Sequence, residues 1–169
     1  MMSQDTPRYD AFTNRARSYG VEITECPPDD VAAAVDERIE GPAIGTPLPW
    51  PDVELPEQVT TAPTPADLEN AATGVTAASL AIAEYGSLVL RMDELGSEPV
   101  SLFNDRHVVV LRKQDIVPDM AAAFEWLGDE LRETRGSAIL ATGPSATADM
   151  GALVQGAHGP KEVEVIVVS

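Results

Sequence analysis

The chain has 169 residues, 44% of them hydrophobic, with 28 acidic against 11 basic residues and a formal net charge of −17. That balance excludes nucleic acid as a partner, since phosphate binding needs a basic footprint, and the apolar content excludes a disordered chain. No apolar run approaches the ~20 residues of a membrane helix, and MMSQDTPRYD has no basic start leading into an apolar stretch, so a cytoplasmic protein with no signal peptide and no membrane anchor is expected.

In chain order, YDAFTNRARSYG reads as a helix ending at Gly20, and VEITEC as a short strand. PPDDVAAAVDERIEG is a helix capped by Asp29 or Asp30 and ended by Gly41. Prolines then cluster at 42, 47, 49, 51, 56, 63 and 65, which forbids a helix interior or a central strand. The expectation is an extended connection with short strands at PAIG and EQVTT, and with Trp50 pinned against the body. Residues 1–58 thus read as a peripheral segment packed on a core formed by residues 59–169, the whole being one domain.

Within the core, PTPADLENAATG predicts a short helix capped by Thr64 and ended by Gly74, and VTAASLAIAEYG places apolar residues at helical spacing up to Gly86. SLVLR and HVVVLR are β-branched, nearly continuous apolar runs, as expected of strands covered on both faces. VPDMAAAFEWLGDELRET is amphipathic, with Met120, Phe124, Leu127 and Leu131 on one face. SAILAT reads as a strand, TADMGALVQ as a short helix and VEVIVVS as the last strand. This alternation predicts an α/β fold with a mostly parallel sheet covered by helices on both faces.

The charge and the cysteine count add constraints. The acidic excess either forms one patch for a basic partner or coats the whole surface, as in a halophile, where salt screens the self-repulsion. Its dispersal (PPDDVAAAVDERIE, PDVELPEQ, GDELRE) and the presence of only two lysines, Lys113 and Lys161, favour the halophilic coat. A single cysteine, Cys26, excludes an intrachain disulfide, a Cys-rich zinc site and an iron–sulfur cluster held by this chain alone.

Open parallel sheets bind ligands outside the carboxyl ends of their strands. SAILAT-GPSATAD has that form, with Gly143 in the turn and Ser145 and Thr147 placed to cap a following helix whose N–H groups would favour a carboxylate or phosphate. The alternative is that Ser145, Thr147 and Asp149 satisfy those N–H groups themselves. Ser145 lacks the G-x-S-x-G setting of a nucleophile elbow. His158, in GAHGP, is either a ligand contact or a turn residue, and His107 reads as structural. Glu84, before Tyr85-Gly86-Ser87, is either an exposed element-end residue or a partly buried acid, and Gly86 and Ser87 permit close backbone approach. No metal site is expected.

Taken together, GVTAASLAIAEYGSLVLR, HVVVLRKQDIVPDM and TGPSATADMGALVQGAHGPKEVEVIVV resemble the lactate-utilisation protein C family, the LUD domain, over residues 59–169. The resemblance implies an α/β fold similar to the ribose-phosphate isomerase, glucosamine-phosphate deaminase and CoA-transferase group. It also implies a role beside iron–sulfur partner proteins in oxidising L-lactate to pyruvate. Thr76, Gly86, Ser87, Gly143, Ser145, Thr147, Asp149 and His158 would then bind a small carboxylate or phosphate, with Glu84 as the candidate catalytic group. Ala146 stands where the family commonly has arginine, and Gly151 where it often has an acid. One cysteine and no G-x-G-x-x-G fingerprint mean that the chain is not a complete redox enzyme, so clusters are expected in partners and no cofactor in this chain. The alternatives are a non-catalytic scaffold or regulator, and a free-standing enzyme acting on a sugar phosphate or acyl-CoA.

Overall fold

Two sheets stack against each other, with helices packed around them. The computed structural model describes residues 5–149, 152–156 and 158–169. The larger sheet contains β1 (Glu22–Cys26), β2 (Ala43–Gly45), β3 (Val59–Thr60), β4 (Thr73–Ala77), β7 (Arg106–Arg112) and β12 (Glu162–Val168), in the order β1-β12-β7-β4-β2-β3. Every neighbouring pair in it is parallel. The smaller sheet, β5 (Leu80–Ile82), β6 (Ser87–Arg91), β8 (Ile116–Val117) and β9 (Ala138–Thr142), runs in the order β8-β5-β6-β9. There β6 is antiparallel to both its neighbours.

Alternation along the central strands explains their unbroken apolar sequence. Val109 and Leu111 of β7, with Val163, Val165 and Val167 of β12, face Leu88 and Leu90 of the smaller sheet. Phe12 of α1 (Asp5–Ser18) completes that layer and is fully buried. Val108, Val110, Ile166 and Val168 face the other way, onto Val31 and Val35 of α2 (Val31–Asp36) and the proline-rich connection. Both faces are covered, so side-chain period 2 carries no hydrophobic contrast. The smaller sheet buries Leu80, Ile82 and Val89 against Ala123 and Leu127 of α5 (Met120–Thr134), while α4 (Ser97–Leu102) packs on β4 and β6. The fold is therefore α/β, with a parallel six-stranded sheet flanked by helices.

Several local expectations hold. Thr64 caps α3 (Pro65–Asn70) with a complete capping box, and Trp50 packs on the core with the Arg112 guanidinium 5.4 Å from its ring centre. Others are corrected. Residues 1–58 supply β1 and β2 to the main sheet. Asp30 occupies the N-cap of α2, but no side chain caps that helix. Residues 75–86, read at helical spacing, form β4, β5 and a turn, and Gly74 lies inside β4 rather than ending a helix. Pairing of Val75 and Thr76 with Val108 and Val109 overrides the helical spacing of the alanines. On α5 the buried face runs through Ala123 and Leu127, leaving Phe124 61% exposed. In place of the short helix expected over TADMGALVQ, β10 (Ala146–Asp149) pairs antiparallel with β11 (Ala152–Gln155). Segments this short gain more from strand pairing than from a helix below nucleation length.

Candidate functional site

Removing the expected helix after Ser145 removes the anion site that its N-terminus would have offered. A cavity of about 340 Å³ lies between the two sheets. One wall is Val163 and Val165 of β12 with His107 of β7; the other is Leu88 and Leu90 of β6 with Ile139 and Ala141 of β9. His107 and Val163 are opposed second residues of their strands, so the cavity lies toward the amino ends of the parallel strands, not the carboxyl ends expected. The second sheet covers this face, and the chain returns to the amino ends through the loops at 143–146 and 158–160.

Those loops form the rim. Gly143, Ser145 and His158 all line the cavity. Gly143 has φ +68°, and a Cβ there would come within 2.9 Å of Tyr19 Cβ, so both conformation and packing demand glycine. The Ser145 N–H donates to the Pro160 carbonyl at 2.8 Å, and the Gly156 N–H donates to the Ser145 carbonyl at 2.8 Å. These bonds tie the two rim loops together. Ala146 also lines the cavity, so no guanidinium enters at that position.

The remaining candidates divide. Gly86 lines the cavity where the β5–β6 turn meets α1. Ser87 Oγ shares a 2.6 Å hydrogen bond with Thr142 Oγ1, whose residue lines the cavity. Thr76 is buried, with Oγ1 2.8 Å from His107 Nε2. Glu84 is exposed and outside the lining, and its carbonyl accepts from Arg15 Nε at 3.1 Å. Thr147 and Asp149 lie on β10; their side chains, like Gly151, fall outside the described part of the structure.

His107 is the site residue that sequence reasoning missed. It is 3% exposed, and burial pushes its imidazole down from 6.5 to about 4, so it is neutral near pH 7. Its place at the head of an apolar run suggested a structural role; only the pairing of β7 with β4 and β12 brings it to a cavity. The described lining contains no Asp, Glu, Lys or Arg, so it has no cationic clamp for a carboxylate or phosphate. Among the described residues no three His, Cys, Asp or Glu side chains are grouped to hold a metal. Cys26, the chain's one cysteine, lies at the end of β1, and burial raises its thiol pKa. A lone thiol does not fit an iron–sulfur cluster.

A parallel six-stranded sheet, a covering mixed sheet and an apolar cavity between them make up an α/β architecture. A model of the LUD domain matches residues 56–168, and the chain belongs to that family. It is 32% identical over 167 residues to lactate utilization protein C of Deinococcus radiodurans, covering 93% of this chain and 77% of that protein. It is 34% identical over 105 residues to lactate utilization protein C of Bacillus subtilis, covering 60% of this chain and 44% of that one. The chain thus spans under half the length of the latter relative. A crystal structure of a DUF162 family protein from Deinococcus radiodurans has the same fold, with a TM-score of 0.71 at 21% identity, covering 99% of this chain and all of that one. Among the described residues no helix is long and apolar enough to cross a membrane.

Proposed function

We propose that this chain is a ligand-binding subunit of an iron–sulfur-dependent system that oxidises L-lactate to pyruvate. The observation that carries the reading is the agreement between the LUD match and the cavity. The matched segment supplies both rim loops and both sheet walls of the site, His107 included, and the relatives sharing that segment are lactate utilization proteins C.

Oxidising a hydroxy acid to a keto acid releases two electrons and two protons. One cysteine gives this chain no ligand set for an iron–sulfur cluster of its own, and its sequence carries no G-x-G-x-x-G fingerprint. In this reading the clusters belong to partner proteins, while this chain binds at the inter-sheet cavity and completes the assembly. Glu84, exposed and outside the lining, is assigned no chemical step.

Deleting the chain from its native cells tests the proposal. Growth on L-lactate should fail, return with the wild-type chain, and not return with Ala141→Phe, which fills the cavity from β9. Undiminished growth on L-lactate without the chain would overturn the reading.

A further inference from the structure

Both histidines of the chain line one cavity, although they lie far apart in sequence. His107 stands at its buried end and His158 at its exposed rim. The body between them is aliphatic, with Leu88 and Leu90 opposite Val163 and Val165. Hydroxyl groups of Thr142 and Ser145 add hydrogen-bonding capacity, and no ionised carboxylate, ammonium or guanidinium appears in the described lining.

The buried end has one fixed partner. His107 Nε2 meets Thr76 Oγ1 at 2.8 Å, and no partner engages Nδ1 among the described residues. A neutral imidazole carries one N–H and one lone pair. If Thr76 donates to Nε2, Nδ1 is a donor; if Thr76 accepts, Nδ1 is an acceptor. Either way the ring offers one directional hydrogen bond, its sense set by Thr76. A desolvated carboxylate would find no opposite charge at this end, which makes its burial costly, and the net charge of −17 opposes anion approach. The volume of about 340 Å³ falls among pockets that enclose drug-sized ligands and exceeds what a three-carbon acid fills.

The geometry points to an uncharged ligand with an apolar body and a carbonyl or hydroxyl head group, the body held between the two sheets and the head hydrogen-bonded by His107 in the orientation set by Thr76. This names the ligand class of the cavity described above, and it rests on the proposed function for its cellular role only. His107 is the specificity-determining group and Thr76 its positioning residue.

Protein carrying isotope-labelled histidine gives only two imidazole spin systems, so the test reads the site directly by NMR. The probes are naphthol and naphthoate, matched in body and different in head-group charge. Naphthol should shift the His107 ring signals saturably and bind at least about ten-fold more tightly than naphthoate. Thr76→Val should change the tautomer signature of the free His107 ring, and Ala141→Phe should weaken naphthol binding by at least about ten-fold. If Ala141→Phe does not fold, Ala146→Phe at the exposed rim serves the same comparison. Naphthoate binding as tightly as naphthol, an unperturbed His107, or full binding by the folded cavity-filling variant would overturn the inference. Naphthol binding without any lactate phenotype would overturn the proposed function alone; a lactate phenotype with naphthoate preferred would overturn this inference alone.

Discussion

Lowering the pH should destabilise the protein through His107, and the effect can be isolated. The imidazole is buried and its pKa falls from 6.5 to about 4 on folding. A depressed pKa means that the unfolded chain binds the proton more readily, so the stabilisation is complete above about pH 6.5 and is lost as pH falls toward 4. Each pH unit within that window is worth about 1.4 kcal/mol, giving about 3 kcal/mol across it. Glu164 and Asp115 act in the opposite sense, since burial raises both carboxyls and favours the folded state as they protonate. Comparing wild type with His107→Gln cancels those contributions. Urea unfolding followed by the fluorescence of the two tryptophans gives the difference at each pH. Glutamine stays neutral, so the stability of the variant relative to wild type should improve by about 2.5 kcal/mol between about pH 7 and about pH 4.5. A difference that does not change with pH would refute the buried neutral imidazole.

Three further outcomes follow from packing, capping and charge. Gly86→Ala would put a Cβ 2.6 Å from the Ala16 backbone nitrogen at φ +64°, and should cost roughly 1–3 kcal/mol in urea unfolding; an unchanged midpoint would mean that α1 does not dock there. Thr64→Ala removes the capping box of α3 and should cost about 1 kcal/mol by the same assay; an equal or higher stability would show that the cap is not formed. With a net charge of −17, the melting temperature by circular dichroism should rise from low to molar salt, and a flat or falling trend would reject a halophilic surface.

The α/β class and most element positions were legible because hydrophobic runs and turn residues state them locally. HVVVLR and VEVIVVS are buried on both faces, and their unbroken apolar runs say so. The helical reading of residues 75–86 failed because alanine and leucine spacing suits a helix, whereas pairing with β7 decides the outcome. The helical reading of TADMGALVQ failed as well, since β10 and β11 pair with each other in a two-stranded sheet of their own. Gly143, Ser145 and His158 stood out through turn chemistry and do reach the cavity. His107 did not stand out, since nothing local in HVVVLR separates a histidine buried for packing from one that closes a cavity. That distinction comes from the second sheet, built from residues far from it in sequence.

Under the proposed function this chain works with electron-carrying partners in lactate oxidation. Affinity capture from native cells at their own salt, with the eluate assayed for iron and for lactate-dependent dye reduction, tests it most directly. Co-eluting iron–sulfur proteins with lactate-dependent reduction are predicted. An iron-free chain captured alone, inactive toward lactate, would overturn the proposed function.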